Sequence, residues 1–121
     1  MQYAIVKVKR IPKWSNYWLH VIKELQHNKV SVQTNFNKKA DLNIVLSGAF
    51  ENPRGYDGKR VMVLQKKDWV PFKLNAWDNM YRDIVKHYYD DIIDVTAMNP
   101  ASAAKTIIDY IHAEERKTDK S

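Results

Sequence analysis

Lys9, Arg10 and Lys13 stand close together, and Ser15 follows them just ahead of a helical pattern. Ser47, Gly48, Asn52 and Arg54 form a second polar group, inside a segment (residues 47–59) that holds all three glycines of the chain. Cations beside hydroxyl and exposed backbone N–H donors are what a phosphate or another anion needs, and a helix start adds free N–H groups and a favourable dipole. A third group, Tyr56, Lys66, Lys67 and Trp69, sets aromatic rings beside cations in loop-type sequence. That combination suits base stacking or contact with a protein partner.

Other chemistries are poorly served. The chain has no cysteine, which removes disulfides, thiolate metal sites and thiol nucleophiles together. There is no Gly-x-Gly-x-x-Gly, no Walker loop and no Gly-x-Ser-x-Gly. His20, His27, His87 and His112 show no paired metal spacing and read as surface residues. Asp90, Asp91 and Asp94 could together hold magnesium or act as acid and base, but their place at the start of a strand fits a solvated turn. A phosphate-receiver domain would end its third strand on an aspartate, where Leu46 and Ser47 stand. No metal and no cofactor is expected.

The elements that must position these groups follow from hydrophobic periodicity. Residues 2–9 alternate and are β-branched, which predicts a strand with Ala4, Val6 and Val8 on one face. A helix is predicted over 16–28. Ser15 is its expected cap, Trp14 and Leu19 are at staple spacing, Trp18, Val21, Ile22 and Leu25 form its core face, and Asn28 is its left-handed stop. Val30 to Gln33 is a short second strand. Leu42 to Leu46 is nearly all apolar, as a strand covered on both faces should be. Arg60 to Gln65 and Ile92 to Thr96 supply strands four and five. A helix near 76–89 is marked by Trp77, Met80, Tyr81, Ile84, Val85 and Tyr88. The last helix, 100–116, opens on Asn99-Pro100 and turns Ala103, Ala104, Ile107, Ile108 and Ile111 to the core.

Strands alternating with helices predict one α/β domain over residues 1–116. It would be a Rossmann- or flavodoxin-like three-layer fold with a mostly parallel five-stranded sheet in the order 2-1-3-4-5. Lys117 to Ser121 would be a frayed tail. Only roughly eight residues (34–41) separate strands two and three, short for a crossover of at least about 10–12, so strand two is either a marginal edge or joined through a single helical turn. In this order the direction of winding reverses between strands one and three. Ligands of such sheets bind outside the carboxyl ends at that point. The reversal would bring together Lys9, Arg10, Lys13, Ser15, Ser47, Gly48, Asn52 and Arg54.

Charge divides the chain. The net charge is +6, but residues 1–73 carry 14 Lys+Arg against 5 Asp+Glu, and residues 74–121 carry 6 against 9. No apolar run approaches the roughly 18 residues that span a bilayer. Met1 to Arg10 places its charges after its apolar residues, the reverse of a signal peptide. A cytoplasmic, reducing home is expected.

The run Lys39-Ala40-Asp41-Leu42-Asn43-Ile44-Val45-Leu46-Ser47-Gly48 resembles the third strand of the N-terminal lobe of GT-B type glycosyltransferases. Asp94-Val95-Thr96, then Asn99-Pro100 and an alanine–isoleucine helix, is similar in style. The chain is also similar in style to short phage-encoded proteins. The first resemblance implies a Rossmann-like fold. It does not imply transferase activity, because such enzymes bind the nucleotide-sugar donor mainly with a second lobe that 121 residues do not include.

The leading expectation is a non-catalytic binding protein that engages a phosphate-bearing ligand or a protein partner, including a phage-type role in modulating a host enzyme or defence system from the host cytoplasm. A glycosyltransferase-like or nucleotide-binding enzyme lobe, completed by a homodimer or another chain, is the alternative. Nucleic-acid binding through the basic half comes third.

Overall fold

The computed structural model describes residues 2–7, 16–33, 39–46, 58–65 and 86–119, with the backbone alone for Val6, Lys7, Thr118 and Asp119. Its elements are β1 (Tyr3–Lys7), α1 (Tyr17–His27), β2 (Val32–Gln33), β3 (Leu42–Leu46), β4 (Lys59–Leu64), β5 (Asp91–Asp94) and α2 (Pro100–Asp119). Residues 86–88 are helical as well; the rest of the helix expected at 76–89 lies outside the described residues.

The five strands form one sheet in the order β2-β1-β3-β4-β5. Every neighbouring pair is parallel, as expected from the alternation of strand and helix patterns. The two-residue β2 is a short strand at the edge of the sheet, and residues 34–38 of its link to β3 lie outside the described residues.

Pleating sorts the side chains onto two faces. Ile5, Leu42, Ile44, Leu46, Val61, Val63 and Ile93 join Trp18, Val21 and Leu25 of α1 and Ala103, Ala104, Ile107 and Ile111 of α2 in one buried cluster. Both helices therefore cover the same face. Asn43, Val45, Met62 and Leu64 are buried on the opposite face, which explains why β3 is apolar almost throughout. In β1 it is Ile5 that enters the main cluster, while Ala4 turns to the other face and packs on Ala40.

The ends of α1 differ from the sequence reading by one residue each. The first helical bond runs from the His20 N–H to the Asn16 carbonyl, so Asn16 is the cap residue and not Ser15. That shift takes Leu19 off the staple position, and it is 45% exposed. At the other end the left-handed residue is Lys29, with φ 63°, and not Asn28. The Lys29 N–H donates to the Gln26 carbonyl and the Val30 N–H to the Leu25 carbonyl, both at 2.9 Å, which is the Schellman pattern. Burial of Val30 against the cluster that holds Leu25 fixes this register. Asn28 instead donates its Nδ2 to the Glu24 carbonyl at 2.8 Å.

α2 begins as expected: Asn99 Oδ1 accepts from the Ser102 N–H at 2.8 Å, with Pro100 in the first turn. It continues to Asp119, so residues 117–119, expected as part of a frayed tail, are helical.

Candidate functional site

The candidate site is the carboxyl edge of the sheet, where β1 and β3 end side by side. Their register pairs Tyr3 with Leu42 through to Lys7 with Leu46, so the two strands finish level. On one side of this pair lies β2, reached from β1, and on the other lie β4 and β5, reached from β3. The winding therefore reverses between β1 and β3, the point at which open parallel sheets leave a crevice. The residues expected to bind an anion there, Lys9, Arg10, Lys13, Ser15, Ser47, Gly48, Asn52 and Arg54, lie outside the described residues. So do Tyr56, Lys66, Lys67 and Trp69.

What the structure does place at this edge are the amino ends of both helices. The Tyr17 hydroxyl, in the first turn of α1, donates to the Met98 carbonyl at 2.9 Å and lies 3.2 Å from the Val95 carbonyl. Val95 follows β5 directly, and Met98 immediately precedes the capping Asn99. One half-buried phenol thus ties the start of α1 to the turn that starts α2. The two helix starts are finished differently. Asn99 caps α2 with its side chain, whereas the Asn16 side chain makes no capping bond on α1. Gln65, at the end of β4, is 2% exposed and lays its Nε2 3.5 Å from the Val95 carbonyl. Sequence pattern alone does not mark Tyr17 and Gln65 as site residues. The available signals were a tyrosine in a first helical turn and an amide closing an apolar strand.

The opposite, amino edge carries the ionic groups. The Gln2 N–H donates to Asp41 Oδ2 at 2.9 Å and the Asp41 N–H to the Gln2 carbonyl at 2.8 Å. Arg60 and Asp90 repeat this exchange: the Arg60 N–H donates to Asp90 Oδ2 at 2.9 Å, and the Asp90 N–H donates to the Arg60 carbonyl at 2.8 Å. The buried Arg60 Nε has no hydrogen-bond partner among the described residues and faces Asp90 Oδ2 at 3.7 Å. On the helix-covered face, Lys59 Nζ meets Glu114 Oε1 at 2.9 Å and stands 5.3 Å from the centroid of the Tyr110 ring. The Tyr110 hydroxyl donates to Asp91 Oδ2 at 3.1 Å, and Lys117 approaches Glu114 at 3.3 Å.

These contacts set the titration of the cluster. The Tyr110 phenol, then the Glu114 carboxylate, raise the Lys59 ammonium above the ordinary lysine range against partial desolvation. Burial raises Tyr110, opposed by Lys59. Lys59, joined by Lys117, holds Glu114 below its usual value despite burial. Lys59 and Glu114 thus remain charged and paired at neutral pH.

The aspartates considered as a metal or acid–base cluster have separate duties. Asp90 serves Arg60, Asp91 accepts from Tyr110 and from the Ile92 N–H at 2.9 Å, and Asp94 accepts from the Thr96 N–H at 3.0 Å. Among the described residues no group of three His, Asp or Glu side chains could hold a metal ion. All four histidines are exposed. An open hollow of about 420 Å³ is lined by Gly58, Lys59, Arg60 and Asp90. Among the described residues, no helix is long and apolar enough to cross a membrane. Comparison with family models, curated proteins and solved structures found nothing that matches the chain.

Proposed function

We propose that this chain is a non-catalytic binding protein that takes a phosphate-bearing small ligand at the carboxyl edge, between β1 and β3. One observation carries the reading: β1 and β3 are parallel neighbours that end in register at Lys7 and Leu46, with the strand order reversing between them. In sheets of this kind the crevice at the reversal is the ligand position, because no crossover covers it. The sequence supports a negative ligand there. Lys9, Arg10 and Lys13 lie between β1 and α1, and Ser47, Gly48, Asn52 and Arg54 lie between β3 and β4. The amino end of α1, unaided by the Asn16 side chain, adds backbone donors and a positive dipole end at the same edge.

Thermal unfolding with nucleotides, nucleotide sugars and inorganic phosphate at millimolar concentration tests this. A ligand present at 100 times its Kd stabilises the folded chain by about 2.7 kcal/mol, enough to raise the melting temperature by several degrees. The expected result is a rise with phosphate-bearing compounds, none with the unphosphorylated nucleoside, and its loss in a Lys9→Ala/Lys13→Ala double variant. No response from any phosphate-bearing compound overturns the proposal. A rise confined to nucleotide sugars, accompanied by their turnover, would instead favour a glycosyltransferase-like lobe.

A protein partner is the second reading. It rests on β4, which ends at Leu64 on this same edge immediately before the stretch that contains Lys66, Lys67 and Trp69. Retention of a partner that is lost on Trp69→Ala, with no small-ligand response, would favour it over the first.

A further inference from the structure

We draw no further inference here: the strongest candidate, the open hollow at the amino edge of the sheet lined by Gly58, Lys59, Arg60 and Asp90, carries nothing, because Lys59 already pairs with Glu114 and Arg60 faces Asp90, and nothing in the structure shows what would occupy the space that remains.

Discussion

The two edges of the sheet are built on different principles. At the amino edge acidic side chains close on their neighbours: Asp41 accepts from the Gln2 backbone N–H, Asp90 accepts from the Arg60 backbone N–H and faces its guanidinium, Glu114 pairs with Lys59, and Asp91 accepts from the Tyr110 hydroxyl. At the carboxyl edge, side-chain bonds to backbone groups shape the turn after β5 and the start of α2. Tyr17 reaches the Met98 and Val95 carbonyls, Asn99 caps α2, and Asp94 holds the Thr96 N–H. A group engaged by an opposite charge is no longer available to a ligand. A backbone shaped by capping bonds leaves the helix starts in place with their dipoles aimed outward. Under the proposed function, recognition belongs to the carboxyl edge while the paired groups of the amino edge serve stability, and substitutions at each should separate the two properties.

Gly58→Ala carries the largest expected effect. A Cβ at this position falls 2.5 Å from the Asp41 carbonyl group and within overlap of the Ala40 carbonyl oxygen. Both obstacles are backbone, and Asp41 is held by its exchange with Gln2 and by the Lys59 N–H at 2.8 Å. The cost should match overpacking of a tight interior, about 2–3 kcal/mol in urea unfolding. Because the change is confined to the amino edge, any ligand-induced rise in melting temperature should survive it. Loss of that response in a variant that still folds would break the division between edges.

Tyr17→Phe is the counterpart at the carboxyl edge. It deletes a half-buried hydroxyl that serves two carbonyls, for a loss of about 1 kcal/mol. It also frees the start of α1 from the turn before α2, so it should weaken the phosphate response beyond what its stability loss explains. A ligand affinity equal to that of the parent chain would remove Tyr17 from any part in the site.

Glu114→Gln addresses the ionic cluster, with a smaller effect. The Lys59–Glu114 pair is partly exposed, at 34% and 15% for the two side chains. Solvent screening therefore limits its contribution to about 0.5–1 kcal/mol. Glu114 titrates lower in the folded chain than in the unfolded one. Its contribution is thus present above the ordinary glutamate range and disappears as pH falls through the lower, folded value. Lys59 is shifted the other way, so its share persists below the ordinary lysine range and fades only as pH rises through the higher, folded value. Across neutral pH the cluster is constant. Stability curves of the parent and the Glu114→Gln variant should run parallel there and converge in acid. A constant gap down to the lowest pH would show that the pair adds nothing through charge.

Sheet order was legible in the sequence because it follows from repeated local patterns. The β-branched runs ending at Lys7, Leu46 and Leu64 announce strands, and the spacing of Trp18, Val21 and Leu25 announces the helix that returns to the edge strand β2. The amino-edge network was not legible, because Lys59 and Glu114 are 55 residues apart and meet only through the order β4-β5-α2. A signal was nevertheless present: Asp41 and Asp90 each immediately precede a strand, and Lys59-Arg60 open a neighbouring one. In a parallel sheet those starts must share an edge. Of the proposed anion site, what the sequence offered was the sheet edge where it would lie. Strand order determines where the crevice lies, whereas the identity of an anion depends on loop geometry that no periodicity encodes.

The smallest expected effect reverses sign. Lys29 is the non-glycine residue with positive φ among the described residues, at 63°. It occupies the position after the cap that favours glycine, since a Cβ in this conformation costs roughly 1–2 kcal/mol. Its conformation is imposed from both sides. Leu25 and Val30 are both buried, and the bond from the Val30 N–H to the Leu25 carbonyl requires the chain to reverse at Lys29. Lys29→Gly relieves the steric cost but adds freedom to the unfolded chain, for a net gain of roughly 0.5 kcal/mol. α1 starts at the carboxyl edge and descends to Lys29 at the far end of the helix, so this gain should appear in urea unfolding without altering the phosphate response. If Lys29→Gly destabilised the chain, the left-handed turn would not be the strained element it is taken to be, and the closure of α1 would rest on the Lys29 side chain itself.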